Sequence, residues 1–202
     1  MKPEDDITSQ ISMIDAKIRK CTLCRLHENR TNAVPGTGKT IDLDLMIVGE
    51  GPGRNEDAAG KPFVGAGGRV LDSMLREAGL ERSEVYITNI VKCRPPENRK
   101  PLDDEIDTCT SHYLENQIEL LNPKLICTLG ATALKYFTDE TNMAKNHGRL
   151  LKSKNGLIIF STYHPAAVFR SNSLRQVLQE DIKKIPSVLK ELTENSKQKL
   201  LP

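Results

Sequence analysis

No apolar run in this chain comes near the roughly 20 residues that cross a bilayer, so a membrane-spanning role is excluded from the reading. The opening MKPEDDITSQ is acidic and polar, unlike a secretory signal, and the cell interior is the expected compartment. Charge of one sign is missing too. Lys and Arg total 29 against 27 Asp and Glu, a net +2, so bulk charge does not announce a nucleic-acid binder. Any basic surface has to come from local clusters. Candidates are KNHGRLLKSK (Lys145 to Lys154) and the arginines near Cys24 and Cys93, each of which alone reads as a solvated loop. Repeats and internal linkers are also absent. The 202 residues suffice for one domain with a real core. The expectation is a single domain over residues 1–202, with the end of TENSKQKLLP, from about residue 194, frayed.

One motif is present only in part. AVPGTGKT, Ala33 to Thr40, ends like the phosphate-binding pattern G-x-x-x-x-G-K-[ST], but Ala33 stands where the first glycine belongs. That pattern needs a strand before it and a helix after it, so that the helix N-terminus faces the phosphates. Here polar RLHENRTN precedes and an apolar strand-like run follows. The stretch reads as a Pro-Gly turn leading from the first cysteines to the first strand.

What is there is an alternation of two periods. Four short runs rich in Ile, Leu and Val, LDLMIVG (43–49), VYITNIV (85–91), KLICTLG (124–130) and LIIFST (157–162), have the pattern of strands buried on both faces. Between them lie helical stretches. GGRVLDSMLREAG puts Val70, Leu71, Met74, Leu75 and Ala78 on one face, with Gly79 as its stop. DDEIDTCTSHYLENQIELL puts Ile106, Cys109, Tyr113, Leu114, Ile118 and Leu121 on another. SQISMIDAKIRK is a first helix, and SLRQVLQEDIKKIPSVLKEL a last one, kinked or broken near Pro186. The expected fold class is α/β, a single three-layer domain in which a central four-stranded parallel sheet carries helices on both faces.

In such a sheet ligands bind beyond the carboxyl ends of the strands. The first strand ends in GEGPGRNED, which aims Glu50 at that edge; Gly51 and Gly53 allow close backbone approach and Pro52 stiffens the turn. The second ends in TNIVKCRPPENR, with Asn89 at the rim and Cys93 just past it. The fourth runs into TYHPAAVFR, where Pro165 forces His164 into an extended conformation. There are five cysteines. Cys127, inside a strand, reads as a small buried hydrophobe. Cys21, Cys24, Cys93 and Cys109 make a four-thiolate set that suits either tetrahedral zinc or a [4Fe–4S] cluster, and spacing does not separate the two.

GEGPGRNEDAAGKPFVGAGG, TNIVKCRPPENRKP and YHPAA together resemble the family 4, iron–sulfur-containing branch of the uracil-DNA glycosylase superfamily, from about Cys21 into the last helix. The resemblance implies a [4Fe–4S] cluster on Cys21, Cys24, Cys93 and Cys109, with zinc the lesser alternative, and a structural role for it. It implies that Phe63 stacks on a flipped uracil and that Asn89 reads its edge. His164 would donate to O2 of the leaving uracil. Glu50 or Asn98 would orient the attacking water, and between those two the sequence does not choose. Gly51 stands where other branches carry a carboxylate or amide. Glu56 is a candidate wall against the thymine methyl. Phe169 or Arg170 would fill the vacated stack, or Arg170 would grip a phosphate.

The reaction implied is hydrolysis of the deoxyuridine N-glycosidic bond in single- or double-stranded DNA by a monomer. No lysine in these motifs is placed for Schiff-base strand cleavage, so a monofunctional enzyme is expected. Two alternatives stand beside it. One is a uracil-DNA or single-strand binder without turnover, though KCRPPENRKP lacks the histidine of the covalently trapping branch. The other is a zinc-stabilised scaffold module.

Overall fold

In the computed structural model of the chain, residues 3–198 are described, with side chains from 6 to 195. The strands are β1 (Thr37–Gly38), β2 (Leu45–Gly49), β3 (Tyr86–Asn89), β4 (Leu125–Leu129), β5 (Arg149–Lys152) and β6 (Ile158–Thr162). They form one sheet in the order β1-β3-β2-β4-β6-β5. Its centre, β3-β2-β4-β6, is the expected set of four parallel strands. The strand count differs from expectation because β1 and β5 add antiparallel edges. Both escape a sequence reading for physical reasons. β1 is two residues of the AVPGTGKT turn. β5 lies in KNHGRLLKSK, and its mainly exposed Arg149 and Lys152 make it look like a loop. Such charges blunt a sheet edge against pairing with another chain.

The helices are α1 (Pro3–Arg19), α2 (Arg54–Ala59), α3 (Ala66–Glu77), α4 (Asp103–Cys109), α5 (Glu115–Leu121), α6 (Ala131–Thr138), α7 (Met143–Asn146) and α8 (Ser173–Gln198). α4 and α5 are the single helix expected over 103–121, interrupted by a π turn at Thr110–Leu114. That turn begins at the residue after Cys109. α8 runs through Pro186 without the break that was one of the two expected outcomes there, and is helical to Gln198. Residues 199–202 lie outside the described residues.

Alternation along the strands splits the core in two. Met46, Val48, Tyr86, Ile126 and Ile159 face one layer with α1, the 103–121 helix and α6. Leu45, Ile47, Ile87, Leu125, Cys127 and Phe160 face the other with α3 and α8. This is the three-layer arrangement, and it sorts the cysteines. Cys93 and Cys109 are buried in the first layer, Cys21 and Cys24 pack against it, and Cys127 is on the opposite side of the sheet.

Candidate active site and cysteine pocket

Beyond the carboxyl ends of the parallel strands lies a cavity of about 490 Å³. Its lining includes Glu50, Gly51, Pro52, Phe63, Asn89, Asn98, His164 and Arg170, residues from four separate sequence segments. Phe169 is not among them; it points outward at 61% exposure. Pairing of β2 with β3 sets Gly49 opposite Asn89 and continues past the strand ends through Ile90 N–H to Gly49 carbonyl (2.9 Å) and Val91 N–H to Glu50 carbonyl (3.2 Å). The two loops are thus held side by side before any side chain acts.

The cavity floor requires glycine. A Cβ at Gly49 would lie 2.5 Å from Asn89 Oδ1 and 2.6 Å from Phe63 Cζ. Both side chains therefore lie over bare backbone. Phe63 is buried at 6% exposure and holds a positive φ of 52°, a costly state for a bulky residue that marks a conformation imposed by its surroundings. One source of that constraint is Glu56 on α2, whose Oε1 accepts from the Val64 (3.0 Å) and Gly65 (2.7 Å) amides. Glu56 lines the cavity as expected of a wall, but its carboxylate is engaged in fastening the Phe63 loop.

Asn89 is 1% exposed and its Oδ1 is buried without a hydrogen-bond partner. An orphaned buried acceptor is costly in a folded protein unless something arrives to satisfy it. His164 lies 5.6 Å from the Phe63 ring, centroid to centroid, with 30° between the planes. It is extended as Pro165 demands, and its Nδ1 accepts from the Ala166 amide at 3.1 Å. An accepting Nδ1 puts the proton of the neutral ring on Nε2, which makes Nε2–H a donor. Burial pulls the His164 pKa down, against the pull of Glu50 and Glu56 and with the help of Arg170. The neutral donor form is thus favoured.

Glu50 Oε2 accepts a short hydrogen bond from the Thr132 hydroxyl on α6. Sequence reading missed Thr132; the available signal was its place in the first turn of α6, which Gly130 caps just past the carboxyl end of β4. Asn98 sits in the Pro96–Asn98 turn, where Glu97 (φ 53°) and Asn98 (φ 56°) are both left-handed, and its Oδ1 accepts from Arg94 Nε at 2.7 Å. The turn is anchored by Arg99, whose guanidinium forks the fully buried Glu105 carboxylate at 2.8 and 2.7 Å. Arg54, Arg99, Lys100 and Arg170 put positive charge around the cavity.

A second, mainly apolar pocket is lined by Cys21, Cys24, Cys93 and Cys109, with Ile18, Leu26, Lys92 and Tyr113 among its other walls. Arg30 Nη1 donates to Cys93 Sγ at 2.8 Å, and its Nη2 to the Cys21 carbonyl at 2.7 Å. The Lys92 amide donates to Cys109 Sγ at 3.3 Å. Burial raises the thiol pKa of Cys24 and of Cys93, where Arg30 opposes it, and pushes Cys109 up to about 12 against Lys92. Lys92 is itself fully buried, and burial lowers its pKa to about 8. Among the described residues, no three Cys, His, Asp or Glu side chains are grouped to hold one metal ion. Nor is any helix long and apolar enough to cross a membrane.

The family model described as uracil DNA glycosylase superfamily matches residues 35–186, a span that takes in every lining residue of the cavity named above. The chain belongs to that superfamily. Curated relatives named type-4 uracil-DNA glycosylase place it in that branch. The Thermotoga maritima protein is 45% identical over 89% of this chain and 95% of its own length. The Sulfurisphaera tokodaii protein is 45% identical over 87% and 83%, and that of Archaeoglobus fulgidus 38% over 92% of each. The superfamily model begins after Cys21 and Cys24, so the segment that completes the cysteine pocket lies outside its match, whereas the type-4 relatives align over most of the chain.

Proposed function

We infer that this chain is a uracil-DNA glycosylase of base excision repair. It hydrolyses the bond between uracil N1 and deoxyribose C1′, releasing uracil and leaving an abasic site. The carrying observation is the orphaned Asn89 Oδ1 on the cavity floor, with Phe63 and His164 beside it. The Asn89 amide oxygen, which no protein group occupies, accepts from uracil N3–H, and the amide NH₂ is offered to O4. Cytosine presents the opposite pattern and would leave buried groups unpaired, a mismatch that discriminates by about 10⁴–10⁵. The flipped base stacks on Phe63, worth about 1–3 kcal/mol, which offsets the few kcal/mol of extrusion.

As the glycosidic bond breaks, negative charge develops on the pyrimidine, and His164 Nε2–H donates to O2 where that charge accumulates. Water attacks C1′ of the oxocarbenium-like sugar. We assign its orientation to Glu50: the Thr132 hydroxyl occupies Oε2, and Asn98 Oδ1 already takes the Arg94 bond. Asn98 then shapes the loop around that water. Arg170, on the exposed turn after His164, contacts a DNA phosphate, while Phe169 is the exposed apolar group suited to fill the vacated stack. The protein works inside the cell as a monomer on single- or double-stranded DNA, without lyase activity.

The cysteine pocket fits a [4Fe–4S] cluster held by Cys21, Cys24, Cys93 and Cys109. A single zinc needs four sulfurs converging at about 2.3 Å on one point, whereas each cluster thiolate binds its own iron. The four sulfurs line one mainly apolar pocket, and those of Cys93 and Cys109 accept N–H bonds from Arg30 and the Lys92 amide, an environment that suits the anionic thiolates of a cluster. The group would supply a rigid cross-link from the CxxC segment to the β3 loop and α4. The test of the enzyme is incubation with a uracil-containing oligonucleotide followed by alkali. Cleavage at uracil and none at a thymine control is expected. Binding without release would mark a non-catalytic uracil-DNA binder.

A further inference from the structure

Among the described residues Lys92 is the one buried lysine, and the reaction above does not use it. Its side chain is 1% exposed, and none of the ion pairs among the described residues includes it. A buried charge is expensive and calls for compensating anions; burial works against the Lys92 ammonium, while the Cys109 sulfur and the Asp15 carboxylate on α1 favour its charged form. Lys92 lies against the four-cysteine pocket, with its own amide on Cys109 Sγ. At its other end, Nζ donates to the Asn89 carbonyl at 2.8 Å and to Thr88 Oγ1 at 2.6 Å. Thr88 Oγ1 in turn donates to the Pro35 carbonyl, and Val34 N–H to the Lys92 carbonyl at 2.7 Å. The AVPG turn thus closes over the lysine. One side chain spans from the cysteine pocket to the backbone of the residue that faces the base.

We propose that Lys92 is a positioning residue that couples the cysteine pocket to base recognition: its ammonium is the counter-cation of an anionic thiolate centre and clamps the Asn89 carbonyl so that the Asn89 amide keeps its aim. This rests on reading the pocket as an iron–sulfur site and Asn89 as the base reader. Four thiolates bring four negative charges, which the iron–sulfide core offsets only in part, and the low local dielectric makes a nearby cation effective. The Arg30 guanidinium on Cys93 Sγ is the second such cation, but it ends on Arg19 and Cys21 carbonyls and does not reach the cavity. Lys92, by contrast, lines the cysteine pocket and reaches the backbone of the cavity residue Asn89.

The experiment compares Lys92→Met, of similar length without charge, and Thr88→Val, which keeps the charge and removes one ammonium partner, in the full cluster-loaded chain. Affinity is measured for two oligonucleotides, one bearing an uncleavable deoxyuridine analogue and one thymidine. Their ratio is the uracil preference. Lys92→Met is expected to lower that preference about tenfold and Thr88→Val by less, while in an Asn89→Ala background Lys92→Met lowers it no further. Removal of a positive charge also shifts the cluster's reduction potential to more negative values in Lys92→Met, because the reduced form is the more anionic. A wild-type chain without uracil preference overturns the site reading and this inference together. A wild-type preference that neither variant changes overturns the inference alone, as does an equal loss in the Asn89→Ala background. An unmoved potential overturns the counter-cation half. Should Lys92→Met fail to fold, Thr88→Val with unchanged preference is the overturning result.

Discussion

At His164, a backbone amide decides which nitrogen can act. The Ala166 N–H occupies Nδ1, so a neutral ring presents Nε2–H to the cavity, and a protonated ring would lose that hydrogen bond. Burial lowers the ring's pKa, so the donor-competent neutral form extends below the ordinary His range. The sign follows: kcat/KM should hold level through neutral pH and fall only as pH drops through the lowered pKa, where the ring gains its second proton. A pH profile whose acid limb lies at or above the ordinary His pKa would contradict this. His164→Ala should reduce the single-turnover rate by about 10²–10³, measured with enzyme in excess over uracil-DNA. At Asn89 the expectation is a change of kind. Asn89→Asp loses the fixed donor–acceptor order, so uracil excision should collapse and cytosine gain entry, checked with paired uracil and cytosine oligonucleotides.

Among the elements, the Pro96–Asn98 turn and the start of α4 behave as one unit. Its tie is the fork between half-exposed Arg99 and the sealed carboxylate of Glu105, which also accepts from the Leu102 amide at 2.8 Å. Arg99 holds the Glu105 carboxyl below its usual range. Arg99→Ala leaves that carboxylate buried without its main partner, which is destabilising because desolvation is no longer compensated. Thermal unfolding should show a midpoint lowered by several degrees, and hydrogen exchange should quicken at residues 96–105. A variant with wild-type exchange there would separate the turn from α4. α4 and α5 were legible as one apolar stripe over 103–121, but the π turn was not. A π turn inserts an extra residue into the helix locally, which the period of the apolar stripe does not register.

Across the whole molecule, the sheet separates two kinds of cysteine. Cys93→Ser should abolish the visible iron–sulfur absorbance of the purified protein and lower its stability, because a link between the N-terminal segment, the β3 loop and α4 is cut. Cys127→Ser, on the far side of the sheet, should keep the absorbance. A colourless wild type holding stoichiometric zinc would replace the cluster assignment. With a net charge of only +2, DNA affinity must come from the arginines and lysines around the cavity, so it should weaken steeply with salt.

The partition between sequence and fold is clear at the cavity. The parallel strands were written in their apolar runs, and the rule that ligands sit at strand carboxyl ends pointed to Glu50, Asn89 and His164 before any geometry. Local chemistry also sufficed to reject AVPGTGKT as a phosphate cradle, since strand and loop come in the wrong order. What the tertiary structure alone decided was contact. Nothing in the spacing of Thr132 and Glu50, of Arg99 and Glu105, or of Glu56 and the Phe63 loop says that they meet. Lys92 is the sharpest instance. A lone lysine after an apolar run reads as the first solvated residue past a strand, because charge ordinarily seeks water. Only the packing of α1, the AVPG turn and the cysteine segment around it removes that water, and desolvation is a property of the assembled fold that no local pattern encodes.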